Sequence, residues 1–237
     1  MKYILTLLTV LFSFPSTAQN TYFLQAKGGW GITGTAGNII YTNNLDIVWA
    51  NPIAKIPTFN AAFLFGMQHN KWIFSGGISY LQTGYKEHYE YFEFWNTEVE
   101  NNERFYHVVF PVTVSRKYNI NDRLFFNPGL GLAYSYNYAI NESGRQNDRN
   151  NVFHTYNDNI SKTMFDFNFL RHSLWSTAQT TFGYSLNKQM DITIGPEMQI
   201  MLTPIDKSTG AYTGDHQNMR NYALLLNAGV IWHFKKV

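Results

Sequence analysis

Met190-Asp191-Ile192-Thr193-Ile194-Gly195-Pro196-Glu197-Met198-Gln199-Ile200-Met201-Leu202-Thr203 alternates along almost its whole length. One set holds Met190, Ile192, Ile194, Met198, Ile200 and Leu202; the other holds Asp191, Thr193, Gly195, Glu197 and Gln199. A period of two belongs to a β-strand, whose successive side chains leave opposite faces. At ~3.3 Å per residue, a tilted strand of this length crosses an apolar band of ~25 Å.

Outward from this stretch the same alternation recurs. It predicts strands near Thr21–Ile32, Thr58–Gln68, Trp72–Tyr85, Phe105–Lys117, Leu124–Tyr138, Ser173–Ser185 and Asn221–Phe234, with Met190–Thr203 as the seventh in order. The connections alternate in length. Thr33–Pro57, Lys86–Arg104, Ala139–His172 and Pro204–Arg220 are long and polar, whereas His69–Lys71, Tyr118–Arg123 and Leu186–Gln189 are tight turns rich in Asn, Asp and Lys. The expected fold is all-β: an eight-stranded antiparallel up-and-down transmembrane β-barrel with four long extracellular loops and three short periplasmic turns. Pro111, Pro128 and Pro196 fall inside predicted strands, where each removes a ladder donor, so bulges or local bends are expected there.

Alternation alone also fits a soluble barrel with its bulky face inside. Composition separates the two. Aromatic residues make up 17% of the chain and charged residues only 14%, against ~25% charged in ordinary soluble proteins. Mean hydropathy is −0.26, which excludes a bundle of transmembrane helices. The less bulky face is mostly Gly, Ser, Thr, Asn and Gln, with Lys27, Asp191 and Glu197 the charges in the strand interiors and Arg116 near an end. A water-facing sheet carries many Lys and Glu, whereas small polar side chains suit the narrow lumen of an eight-stranded barrel. The bulky face then meets lipid. Trp72, Tyr184, Trp232 and Phe234 gather toward the turn side and Tyr80, Tyr106, Tyr136 and Tyr222 toward the loop side, as two interfacial girdles require.

The N-terminus is expected to be a signal peptide, residues 1–18. Lys2 precedes the apolar run Tyr3–Phe14, Pro15 breaks it, and Ala18 offers a small residue for cleavage. The run is shorter than the ~20 residues of a spanning helix. Residues 19–237 are then a single barrel domain, exported to the bacterial outer membrane. A net charge of +2 gives no reason to expect nucleic acid as a partner, and the lack of cysteine removes disulfides, thiolate metal sites and a thiol nucleophile.

Segments such as Phe110-Pro111-Val112-Thr113-Val114-Ser115-Arg116-Lys117-Tyr118 and Pro128-Gly129-Leu130-Gly131-Leu132-Ala133-Tyr134, together with the four hairpins, resemble the small outer-membrane β-barrel family (PorT-like, OmpA-barrel-like) of Gram-negative bacteria. The resemblance covers the mature chain. It implies outer-membrane lipid and lipopolysaccharide as surroundings, an envelope or secretion protein as partner, and the barrel-insertion machinery, which reads a terminal aromatic. Phe234 is that aromatic here, followed by Lys235-Lys236-Val237.

Candidate sites are few. Lys27 shares the lumen face with Asp191 and Glu197, and a charge in a narrow lumen needs a partner, so Lys27 is expected to pair with one of them across the last strand. The segment Lys86–Arg104 interleaves acids with aromatics, and Glu87, Glu90, Tyr91, Phe92, Glu93 and Trp95 are its candidates for partner binding, with lipopolysaccharide bridged through divalent cations as one form of it. Gly29-Trp30-Gly31-Ile32-Thr33-Gly34 matches a dinucleotide fingerprint, but no helical pattern follows it, and a dinucleotide site needs one. His172 and Ser176 share the lipid-facing parity of one strand without an acid beside them, which leaves lipid hydrolysis a minor alternative. No cofactor, metal site or catalytic residue is expected. The leading expectation is a non-catalytic barrel that anchors or docks a partner through its loops, with a small pore or secretion accessory as the alternative.

Overall fold

The computed structural model describes residues 20–43, 46–91, 97–147, 153–159, 170–205 and 214–234. Its elements are β1 (Asn20–Asn43), β2 (Asp46–Ala54), β3 (Ile56–His69), β4 (Trp72–Tyr91), β5 (Thr97–Arg116), β6 (Tyr118–Asn119), β7 (Leu124–Asn147), β8 (Phe153–Asn159), β9 (His172–Ser185), β10 (Met190–Met201) and β11 (Gly214–His233). Eight of them, β1, β3, β4, β5, β7, β9, β10 and β11, form an antiparallel ring. The ring closes where β11 pairs with β1, from Phe23 opposite His233 up to Tyr41 opposite Gly214. Closure removes the sheet edges that would otherwise leave backbone groups unpaired in an apolar medium.

The short connections lie where alternation stops. Asn70, in the β3–β4 turn, takes the left-handed conformation at φ 56°, which Asn tolerates better than a branched residue does. In the next turn the Asn121 side chain accepts from the backbone N–H of Arg123 and Leu124, at 2.9 and 2.7 Å. The Asn187 side chain accepts likewise from Gln189 N–H in the third.

The long connections are less irregular than the sequence suggests. β1 runs on to Asn43 and is joined by β2; β4 and β5 continue as a paired ladder out to Tyr91 opposite Thr97; β7 reaches Asn147 and pairs with β8; β11 begins at Gly214. The backbone ladder therefore rises beyond the barrel on the loop side. Two things hide the strand period in the sequence: Glu100–Arg104 and Asn141–Asn147 are polar throughout, and β1 and β2 carry apolar residues side by side, as in Ile39-Ile40-Tyr41 and Ile47-Val48-Trp49, whereas alternation reports a difference between faces, not hydrogen bonding.

The expected bulges at the prolines do not occur. Pairing of β4 with β5 lapses between Gly76 opposite Val112 and Ser79 opposite Val109, and that of β10 with β9 between Ile194 opposite Phe182 and Glu197 opposite Gln179; the register is the same after each gap. Pro111 stays opposite Ala133 and Pro196 opposite Leu226 on the other side. Pro128 keeps its place opposite Thr180. A strand residue bonds toward one neighbour only, so a proline spoils one side of the ladder and need not shift it. The bulges fall instead at Ala36/Asn38, Pro52/Ala54 and Tyr106/His107.

Candidate functional site

The inward face divides into two halves. Toward the turns it holds the charged groups, packed beside Phe23, Phe125 and Ile231. Lys27 on β1 points across Gly229 of β11, its register partner, toward β10. A Cβ on Gly229 would lie 2.8 Å from the Lys27 Cβ, so the glycine gives the lysine stem its passage. Lys27 Nζ reaches Glu197 Oε2 at 2.5 Å and Gln179 Oε1 at 3.2 Å. Glu197 also accepts from Asn227 Nδ2 at 2.8 Å and from Gln199 Nε2 at 2.5 Å. A buried ion pair is tolerated when further hydrogen bonds satisfy it, and this one is clamped by amides from three strands.

Asp191 lies apart from Lys27. Its Oδ2 is 2.8 Å from His233 Nε2 and 4.0 Å from Lys117 Nζ, whose ammonium sits 3.9 Å from the centre of the Phe125 ring. The sequence therefore names both inward carboxylates, and the geometry gives Lys27 to one and Lys117 with His233 to the other. Lumenal cavities of about 30 and about 10 Å³ accompany these groups, room for a water or two at most.

Toward the loops the lumen is not the small polar channel the composition suggests. Leu81, Phe105, Val109, Trp175, Met201 and Leu225 meet in one buried cluster. A polar strut runs through it: Thr83 Oγ1 lies 2.9 Å from His107 Nε2 and accepts from Asn221 Nδ2 at 3.0 Å, while Trp175 Nε1 donates to Ser135 Oγ at 2.8 Å. Thr83 on β4 and Asn221 on β11 are not neighbours in the ring, so this contact bridges the inner face past β3 and β1. Trp175, Met201 and Leu225 are large inward residues that the expectation of a small polar lumen passes over; only their odd-numbered places in their strands hint at it.

The outward face carries the bulky set. Phe63, Phe110, Leu132, Ile194 and Leu226 are 46% to 62% exposed, while Asn60, Thr113, Asn127, Thr193 and Asn227 on the other face are buried. Ring pairs Phe59–Tyr80, Tyr106–Tyr138 and Phe110–Tyr134 lie along it. An apolar belt of this extent on a closed ring has no place in water.

The fold is that of a small outer-membrane β-barrel.

Solved structures similar to the barrel include neisserial surface protein A (13% identity, 90% of this chain and 97% of that one, TM-score 0.43), the attachment invasion locus protein Ail of Yersinia pestis (11%, 90% and 98%, 0.35) and the outer membrane protease OmpT of Escherichia coli (12%, 94% and 99%, 0.39). The fold itself rests on the closed ladder and the exposed belt. No family model and no curated protein matches the sequence.

On the loop side of the barrel, Glu87, Glu90 and Tyr91 belong to β4, and Phe92, Glu93 and Trp95 lie outside the described residues. The acids nearer the barrel are engaged internally. Glu100 receives a two-pronged contact from Arg145, Nε at 2.9 Å and Nη2 at 3.0 Å, and Lys86 Nζ at 3.1 Å. Tyr85 Oη donates to Glu103 at 2.8 Å and Asn101 Nδ2 to Glu142 at 2.9 Å. The hydrogen bonds from Arg145 and Lys86 hold the Glu100 carboxyl below its usual range. Among the described residues no group of three or more His, Asp or Glu is placed to hold a metal ion.

His172 and Ser176 are not brought together. His172 Nδ1 is hydrogen-bonded to Tyr134 Oη, and Ser176 Oγ makes a long 3.5 Å contact to the Ile200 carbonyl. The glycine motif in β1 is a packing device, since a Cβ on Gly31 would strike the Leu224 carbonyl at 1.8 Å.

Proposed function

We propose that this chain is a non-catalytic integral protein of the bacterial outer membrane, exported by a cleaved N-terminal signal, that docks an envelope partner on its loop side. The observation that carries the reading is the pairing of strands beyond the barrel: β4, β5 and β7 continue upward as one ladder fixed by the Glu100–Arg145–Lys86 contacts. A wall of ordered backbone is a better platform than a free loop, because less conformational entropy is lost on binding. The acids and aromatics of Glu87, Glu90, Tyr91, Phe92, Glu93 and Trp95 would present its contact surface.

The test is a pull-down from native outer membranes with the wild type and with the triple variant Glu87→Lys, Glu90→Lys, Glu93→Lys. Loss of a partner from the variant supports docking. Recovery of the same partners by both proteins overturns it.

The second reading, a small pore or a PorT-like secretion accessory, is disfavoured as a pore by the cluster around Trp175 and Leu81, which fills the loop-side lumen. Planar-bilayer recordings on the purified protein decide this point: a steady open conductance would reverse the order of the two readings. A lipid-modifying enzyme is disfavoured by the engagement of His172 with Tyr134.

A further inference from the structure

On the outer surface a groove of about 1080 Å³ follows one oblique row of residues round the wall. It begins at the turn side between Trp72 and Arg116, where those two residues stand opposite each other. It passes over Pro128 and Thr180, opposite each other on β7 and β9, then over Pro196 on β10, and ends beside Leu226 and Trp30. The floor is low because two prolines and Ala178 present little side chain where the neighbouring rows carry leucine, methionine and phenylalanine.

At its lower end the groove has a cation. The Arg116 guanidinium lies 5.5 Å from the Trp72 ring centre and 5.4 Å from that of Tyr118, so it is held at the interface by two aromatic faces. Glu197 also borders the groove, but its carboxylate is turned inward onto Lys27. The surrounding turn-side surface is positive: Lys71, Arg123 and Lys188 are exposed there, against Asp122.

We propose that this groove is a binding site for one glycerophospholipid of the turn-side leaflet, its phosphate on Arg116 and one acyl chain in the groove. This rests on the barrel lying in a bilayer and is independent of what the loop side docks. The chemistry fits at both ends. A planar guanidinium fixed beside the interface meets a phosphate with charge-assisted hydrogen bonds. From Arg116 on β5 to Leu226 on β11 the row crosses four strand spacings, roughly 19 Å at ~4.8 Å each. That exceeds the ~15 Å depth of half a bilayer core, so the chain lies obliquely along the wall instead of standing upright beside it. Bulk lipid has no such register. The groove therefore distinguishes a held lipid from the fluid annulus.

The experiment uses the purified full-length barrel in detergent micelles, titrated with dioleoyl phosphatidylglycerol and read by native mass spectrometry. Each protein is first shown to be folded by its heat-dependent shift in gel mobility. The wild type is expected to retain one lipid. Arg116→Ala removes the phosphate partner, and Ala178→Trp fills the groove without touching charge. Each is expected to weaken retention by roughly tenfold, a loss of about 1.4 kcal/mol. Arg123→Ala, an arginine on the same rim but off the groove, is expected to retain lipid as the wild type does. Retention unchanged in either groove variant, or lost equally in Arg123→Ala, overturns the site.

Discussion

At the residue scale, the lumen is governed by the cost of an unpaired buried charge. Lys27 and Glu197 are 11% and 6% exposed at the side chain, and the carboxylate has its amide donors built around it. Lys27→Met is expected to destabilise the barrel by about 3–5 kcal/mol, because Glu197 is left charged and buried, whereas Lys27→Met with Glu197→Gln together should fall close to the wild type. Urea unfolding in lipid vesicles measures both. Equal costs for the single and the double variant would show that packing, not charge, sets the price. A second residue-scale feature concerns glycine. The Phe23 and Phe125 rings lie flat over Gly66 and Gly183 of the adjacent strands, and a Cβ on Gly183 would stand 2.0 Å from Phe125 Cζ. Gly183→Ala is expected to cost about 1–3 kcal/mol by overpacking, a cost that the same unfolding assay should see fall when Phe125→Leu is added.

At the element scale, the strands differ in what makes them strands. The membrane-crossing parts of β3, β5, β7, β10 and β11 were legible because one face is bulky and the other small, as in Met190–Leu202. The upper parts of β5 and β7 were not, since Glu100–Arg104 and Asn141–Asn147 are polar throughout and their order comes from cross-strand bonds between distant residues. Lys27 and Glu197 were legible as inward charges, but the choice between Glu197 and Asp191 turns on register across β11, which composition does not contain. The Glu100 cluster gives this scale its prediction. Its carboxyl is held below the ordinary value of 4.5 by the bonds from Arg145 and Lys86. The folded form binds its proton less readily than the unfolded one does, so the stabilisation is present above about 4.5 and is lost as pH falls through the lowered value. Amide protection factors in Asn101–Arg104 and Asn141–Arg145 are expected to hold steady from neutral pH to about 4.5 and to drop below it. Glu100→Gln should remove that step and lower protection at neutral pH. A step that persists in the variant would assign it to another acid.

At the scale of the whole molecule, one physical choice organises everything else, namely which solvent wets the outer face. Leu132 stands near the middle of the barrel wall on β7, opposite Val112 and Ser176, with 62% of its surface exposed. Were that face in water, Leu132→Arg would replace an exposed apolar side chain by a soluble one and change stability by no more than about 0.5 kcal/mol. In a bilayer the same change places a guanidinium in hydrocarbon, at a cost of ~2–4 kcal/mol near the midplane. The cost should shrink toward the interfaces, so Tyr134→Arg and Tyr136→Arg, successively nearer the loop side on the same strand and parity, are expected to be progressively cheaper. Equilibrium folding into liposomes, followed across a urea series, gives the three values on one scale. A depth-dependent penalty marks hydrocarbon at Leu132. Three near-zero values would instead put water around the belt, and the phospholipid groove at Arg116 would go with it, because an acyl chain lies along that wall only where water does not.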